Sequence, residues 1–364
     1  MNVGVLGAGQ LGLMLGLAAR RLGLSTRFLA PESDAPAGTC SELIVADYTN
    51  EAALTHFNEG LDVVTYEFES IPIEPVQSIA QTIPVRPSPL ALETAQDRMM
   101  EKQCFERLGI PTSRFAIANT LTEARAALEM VGRPCVLKTR RQGYDGKGQA
   151  VIRERSDLER GWVTVVGAPS ILEKFVTFTR ELSIIAVRAI SGEIEFYPLV
   201  ENHHSEGILR FSIAPAQNVS PDIQSRAEDY AKRVLEDLEY VGVLAIEFFE
   251  TVDGLVANEM APRVHNSGHW TIEGADTSQF ENHLRAITGM ELGSTAVHGV
   301  AGMVNVIGRE PNVAKLREIP SVHVHMYGKS PAPRRKLGHI TVTADDLPSV
   351  VALIGRVRGA LAAR

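Results

Sequence analysis

Residues 254–271, GLVANEMAPRVHNSGHWT, bring together a carboxylate, an amide, an arginine and two histidines: Glu259, Asn258, Arg263, His265 and His269. Pro262 and Gly268 punctuate the run, as expected where a strand gives way to a loop. Upstream, residues 243–249 are apolar except for Glu247, and Asp253-Gly254 is a turn dipeptide, so the two segments predict a β-hairpin. A register that sets Glu247 opposite Glu259 places two like charges across the ladder, which destabilises a sheet unless a cation compensates. Such an oxygen-only pair suits Mg²⁺, which takes one or two carboxylates and completes its shell with water and substrate phosphates. A strict two-residue turn at Asp253-Gly254 shifts that register by one and sends the glutamates to opposite faces. The metal pair therefore requires a longer loop or a bulge at residues 250–255. Without one, Glu259 only caps a strand end.

A second set of residues points to phosphate. Gly143, Gly146 and Gly148 give backbone freedom around Lys147, so this segment can fold its N–H groups over an anion. Lys138 ends the preceding predicted strand, within reach of the same anion; the alternative is a plain solvent loop. No Walker pattern is present. A glycine-rich lid, two lysines and a downstream carboxylate pair are nonetheless parts that phosphoryl transfer needs. Earlier, Gly7, Gly9 and Gly12 match the dinucleotide fingerprint, with Glu32 further on. Against a nicotinamide cofactor, the surrounding unit has about five predicted strands rather than six. The loop then serves as a tight turn or holds another ligand's phosphate.

These groups must be positioned by a chain that reads as α/β followed by α+β. Strands at 3–6, 26–29, 42–46, 62–66 and 83–86 alternate with helices, which predicts a parallel sheet closing near Pro87-Ser88-Pro89. A helix over 94–108 and another over 122–130 follow, then strands at 135–139, 150–152, 170–176 and 181–187. A long helix, 223–238, leads into the hairpin. Short strands at 303–307, 323–325 and 339–343 precede a closing helix from 347.

Composition excludes several classes. With 364 residues, 45% hydrophobic and 22% charged, the chain can bury a substantial core. A net charge of −8 argues against nucleic-acid binding. Cys40, Cys104 and Cys135 are far apart, which indicates neither a disulfide framework nor a zinc site. The chain shows no targeting pattern and no apolar run of membrane-spanning length, so no membrane association and cytoplasmic residence are expected.

In this order the parts resemble the ATP-grasp superfamily over nearly the whole chain. More narrowly, GAGQLG, GYDGKGQ, YVGVLAIEFF and NEMAPRVHNSGHWT resemble the N5-carboxyaminoimidazole ribonucleotide synthetases of purine biosynthesis, the last motif most specifically. The resemblance implies an N-terminal Rossmann-like pre-ATP-grasp domain (1–92), a central ATP-grasp region (93–298, lid about 113–175) and a small β-rich C-terminal domain (299–364). It implies ATP-dependent carboxylation of 5-aminoimidazole ribonucleotide by bicarbonate, through carboxyphosphate, in a homodimer. Around ATP it sets Arg98, Lys138, the lid residues Gly143, Tyr144, Asp145, Gly146, Lys147, Gly148 and Gln149, then Glu173, Lys174, Phe175 and Val176 at the adenine hinge. Glu181 would hold the ribose, with His204 and Asn258 nearby and Mg²⁺ on Glu247 and Glu259. Tyr144, Asp145, Arg263, His265 and Asn266 would face the carboxylation site. Lys329 and Arg335 would receive the substrate phosphate, with Arg334 and Lys336 as alternatives to Arg335. The rival readings are a formate-using glycinamide ribonucleotide transformylase, a nicotinamide-dependent dehydrogenase and a non-catalytic nucleotide-binding module.

Overall fold

Alternating apolar runs and helices make the first region a parallel sheet ordered Glu42–Val45, Ser25–Ala30, Asn2–Leu6, Val63–Tyr66. The computed structural model describes residues 1–143 and 148–362. The strand expected at 83–86 shrinks to a single parallel bridge between Val64 and Val85. Pro84 and Pro87 flank it, and neither has an N–H to extend a ladder. The first sheet therefore has four strands, not five.

The helix expected at 94–108 is two helices, Pro89–Gln96 and Arg98–Arg107. Ser88 caps the first, with Pro89 pre-set at its opening position. Asp97 interrupts them in an extended conformation and accepts from the Met99 N–H at 3.0 Å. Its two oxygens also accept from Arg140 at 2.9 and 2.6 Å, which ties the second helix to the lid sheet.

The lid sheet is antiparallel and ordered Phe115–Ala118, Ser170–Lys174, Cys135–Thr139, Gln149–Ile152. Leu121–Val131 and Asp157–Thr164 are its helices. Lys138 pairs with Gln149, so the glycine-rich segment joins two neighbouring strands.

The largest sheet runs Gly254–Ala261, Gly242–Thr251, Arg180–Arg188, Val200–Ser205, Ile208–Ala214, Val300–Ile307, Lys336–Ala344, Val322–Met326, all antiparallel, with Ile194–Phe196 also on Arg180–Arg188. Ladder bonds between Ile208–Ala214 and Val300–Ile307 carry this sheet across residue 298. Side-chain alternation divides its faces. Leu182, Ile184, Leu244, Ile246 and Phe248 pack with Ala227, Ala231, Val234 and Leu235 of helix Pro221–Asp237. Ile185, Val187, Val243 and Ala245 pack on the other face with Phe280, Leu284 and Ile287 of helix Gln279–Thr288. Glu247 follows Val243 and Ala245 on that second face. The sheet thus delivers its carboxylate to the cleft between regions.

Candidate active site

In the hairpin, Glu247 and Glu259 are direct partners. The turn is centred on Val252-Asp253, because Thr251 pairs with Gly254, and the register then shifts between Glu247 and Phe248. Phe248 pairs with Ala257 and Glu247 with Glu259, so Asn258 is the extra residue. The bulge exists, but at Asn258 rather than at 250–255. Both glutamates line a cleft of about 820 Å³, together with Arg98, Gly143, Arg263, His265, Asn266, Lys329 and Arg335. Burial, reinforced by the charge of Glu259, pushes the Glu247 carboxyl above its usual range. Burial acts the same way on Glu259, but Arg98, bonded at 3.0 Å, and Lys138 outweigh it and hold Glu259 low.

The pair suits Mg²⁺ on chemical grounds. Its donors are hard oxygens, and His265, 3.5 Å from Glu247, is kept neutral by burial. Among the described residues no group of three metal-ligating side chains occurs. A two-carboxylate site would be completed by water and substrate oxygens.

Lys138, Glu173 and Lys102 form a buried ionic cluster beside this pair. Glu173 accepts from Lys138 Nζ at 3.1 Å and Ser113 Oγ at 3.2 Å, and lies 3.4 Å from Lys102 Nζ. Burial raises its pKa, yet Lys102, Lys138 and Arg98 outweigh it and hold the group at about 2. Glu173 therefore anchors the lysines with its side chain. Lys174 points elsewhere, to the Arg133 carbonyl at 2.8 Å, and Phe175 is exposed. Any hinge contact by Lys174 falls to its backbone. Val176 is half-buried, and Gln149 begins the returning lid strand, with Gly148 in the turn before it. Glu181 and His204 pair with each other, and that bond raises the His204 pKa against the effect of burial. Tyr144, Asp145, Gly146 and Lys147 lie outside the described residues.

Because the folded Glu173 pKa is depressed, the cluster's stabilisation is present above about pH 4.5, the ordinary value, and is lost as pH falls toward 2. Denaturant midpoints of wild type and Glu173→Gln are expected to converge across that range. A constant gap would contradict the cluster.

On the other side of the cleft, Arg263 is bonded to Glu69 and donates to the Val264 carbonyl at 3.0 Å. His265 has a fixed tautomer. Its Nδ1 accepts from the Ser267 N–H at 3.3 Å, so the ring proton sits on Nε2, 3.5 Å from Glu247 Oε1. Burial, then Arg263 and Lys336, lower its pKa to about 3, so it is neutral at physiological pH. Ser267 Oγ lies 2.9 Å from the same Nδ1 and accepts from Ser183 Oγ at 2.8 Å, which accepts from Asn202 Nδ2 at 3.0 Å. Asn266 exchanges two amide bonds with Asn305, at 3.1 and 2.7 Å.

Lys329 donates to Gln10 of the first glycine loop, and Arg335 to the Ser330 carbonyl at 3.0 Å. Arg334 donates to the Glu206 carbonyl at 2.9 Å. The positive charge of Lys336 acts on both Glu247 and His265. The first glycine loop has its own anion. Glu67 accepts from the Gly9 N–H at 2.7 Å and the Gly12 N–H at 3.1 Å. A Cβ at Gly7 or Gly9 would come within 2.9 Å of that carboxylate. The glycines make room for Glu67 at a helix N-terminus, where a dinucleotide would place its pyrophosphate.

Sequence reasoning missed Glu67, Glu69, Glu101 and Lys102. The first two follow directly on strand Val63–Tyr66 at the carboxyl end of a parallel sheet, the usual edge for a ligand site. The other two share a helix face with Arg98 at spacings of three and four.

A carboxylate hairpin, a lysine strand and a glycine-rich lid strand beside one cleft define an ATP-grasp enzyme. The model of the ATP-grasp domain matches residues 103–280, that of the ribonucleotide synthetase preATP-grasp domain residues 1–96, and that of the phosphoribosylaminoimidazole carboxylase C-terminal domain residues 301–352. The N5-carboxyaminoimidazole ribonucleotide synthase of Pseudomonas aeruginosa is 49% identical over 363 residues, covering 100% of both chains. That of Bacillus subtilis is 38% identical, covering 93% of this chain and 90% of its own. The crystal structure of the synthetase from Thermus thermophilus has a TM-score of 0.95 at 49% identity, covering 100% of this chain and 99% of that one. The Aspergillus clavatus synthase in complex with ADP and 5-aminoimidazole ribonucleotide has a TM-score of 0.91 at 31% identity, covering 99% of this chain and 98% of that one. The chain belongs to the N5-carboxyaminoimidazole ribonucleotide synthase family.

Proposed function

We propose that this protein carboxylates 5-aminoimidazole ribonucleotide with bicarbonate, converting ATP to ADP and phosphate. The observation that carries this reading is the single cleft in which Glu247 and Glu259 share walls with Arg263, Lys329 and Arg335. It supplies a phosphoryl-transfer centre and cationic contacts for a second, anionic substrate side by side.

Bicarbonate is a poor electrophile. Transfer of the γ-phosphoryl group to one of its oxygens makes carboxyphosphate, whose phosphate is a good leaving group. The aminoimidazole amine then attacks the carbonyl carbon, phosphate departs with the bonding pair, and the amine releases a proton. Mg²⁺ on Glu247 and Glu259 would screen the charge of the phosphoryl oxygens. Arg98, which lines the cleft, and Lys138, held beside it by Glu173, would bring positive charge to the same oxygens. Arg263, held by Glu69, offers a rigid fork to carboxyl or phosphoryl oxygens. His265, neutral and with its proton on Nε2, is a fixed donor between Glu247 and the acceptor side. Lys329 and Arg335 are assigned to the ribonucleotide phosphate, and Asp145 to the amine. The described residues include no helix long and apolar enough to cross a membrane. Homodimer assembly is what the resemblance implies.

ADP release measured with aminoimidazole ribonucleotide plus bicarbonate, against glycinamide ribonucleotide plus formate, tests the reading. Release only with the first pair is expected; release only with the second would replace it. Lys138→Ala is expected to weaken ATP binding about tenfold or more, the cost of a desolvated charged contact. The fold should survive, because Lys102 still neutralises Glu173. Unchanged ATP affinity in calorimetry would remove Lys138 from the nucleotide site.

A further inference from the structure

We propose that Glu101 and Lys102 are positioning residues that hold the bulge at Asn258 and so keep Glu259 on the cleft face of the sheet, opposite Glu247. This rests on the reading of the two carboxylates as the Mg²⁺ pair. Leu255 and Ala257 point into the apolar core shared with helix Pro221–Asp237. Strict alternation would send Glu259 to that same face, where an unpaired carboxylate is costly. The extra residue reverses the parity. Met260 takes the core position, and Glu259 turns to the cleft.

A bulge disrupts the ladder locally, and Gly254–Ala261 is also the edge of its sheet, with a row of backbone groups that no further strand takes up. Helix Arg98–Arg107 takes up those around the bulge. Lys102 Nζ donates to the carbonyls of Asn258 at 2.8 Å and Ala257 at 3.3 Å. Glu101 Oε1 accepts from the Met260 N–H at 2.5 Å. Thr112 Oγ1 accepts from Lys102 at 2.9 Å and donates to the Ala257 carbonyl at 2.8 Å.

Lys102 is 0% exposed and Glu101 2%. A lysine so enclosed, with its ammonium on two carbonyls and a hydroxyl, is placed to hold backbone rather than to meet a phosphate. Its charge is balanced by Glu173 at 3.4 Å. Arg98, one turn earlier, bonds the Glu259 carboxylate itself. One helix face therefore fixes both the backbone and the side chain of a metal carboxylate.

The test uses full-length Lys102→Met and the nearly isosteric Thr112→Val. Mn²⁺ affinity is read by electron paramagnetic resonance with a non-hydrolysable ATP analogue, and metal-free nucleotide affinity by calorimetry. Hydrogen exchange of residues 254–261 is followed without metal. Lys102→Met is expected to weaken Mn²⁺ binding about tenfold to a hundredfold, as removal of a supporting contact does. Exchange in that strand should quicken, while metal-free nucleotide affinity stays near wild type. Thr112→Val should shift Mn²⁺ affinity less, in the same direction, and decides alone if Lys102→Met does not fold. Wild-type Mn²⁺ affinity in the folded variants overturns the proposal. If wild-type protein and Glu259→Gln bind Mn²⁺ equally, the metal reading fails instead.

Discussion

Replacing Glu259 by glutamine is expected to lower ATP-dependent turnover by about a hundredfold or more, the scale set by losing a preorganised electrostatic contact to a transferring phosphoryl group. The substitution keeps the shape and removes the charge that pairs with Arg98 and that would hold the metal. Its effect on the fold is expected to be small, because two opposing contributions change together. Arg98 loses an ionised partner at 3.0 Å, but Glu247 loses the like charge that pushes its pKa up. The melting temperature should therefore move by only a few degrees. Turnover near wild type at ordinary Mg²⁺ would remove Glu259 from the metal pair. A collapsed melting temperature would mark it as a structural ion pair with Arg98.

The second large effect separates the two halves of the cleft. Arg263→Lys is expected to spare ATP affinity and to lower formation of carboxylated product by about 10²- to 10³-fold, the usual cost of one positioned donor in a desolvated site. Alanine would be a poorer choice here. Arg263 neutralises half-buried Glu69, and stranding that carboxylate would add a stability loss unrelated to catalysis. Lysine keeps the charge and loses the two-pronged fork. Nucleotide affinity and product formation, measured on Arg263→Lys and Lys138→Ala together, should move in opposite patterns. Equal loss of ATP binding in both would show that the division is wrong.

How much of this was legible in the sequence depends on the kind of contact. The facing pair Glu247 and Glu259 could be read only as one of two registers, since a strict Asp253-Gly254 turn sends the glutamates to opposite faces. The residue that creates the pairing could not. Asn258 carries no bulge signature of its own, and the bulge persists because Glu101, Lys102 and Thr112, about 150 residues away in the chain, hold it. The dinucleotide-like glycines were visible, but their partner was not. Only the folded chain shows that Glu67 takes the helix N-terminus and excludes a pyrophosphate there. The helix read as continuous over 94–108 breaks because Asp97 caps the next helix and holds Arg140, a long-range contact that outweighs local propensity. The resemblance sets Glu173 at the adenine hinge but says nothing of its counter-ions. Its burial against two lysines turns it into their counter-charge.

The central claim is that the cleft activates bicarbonate by phosphorylating it, and oxygen transfer reports that step directly. With ¹⁸O-labelled bicarbonate, ATP and aminoimidazole ribonucleotide, one labelled oxygen is expected in the inorganic phosphate for each carboxylated product formed. Inorganic phosphate free of label, formed in step with product, would contradict the account.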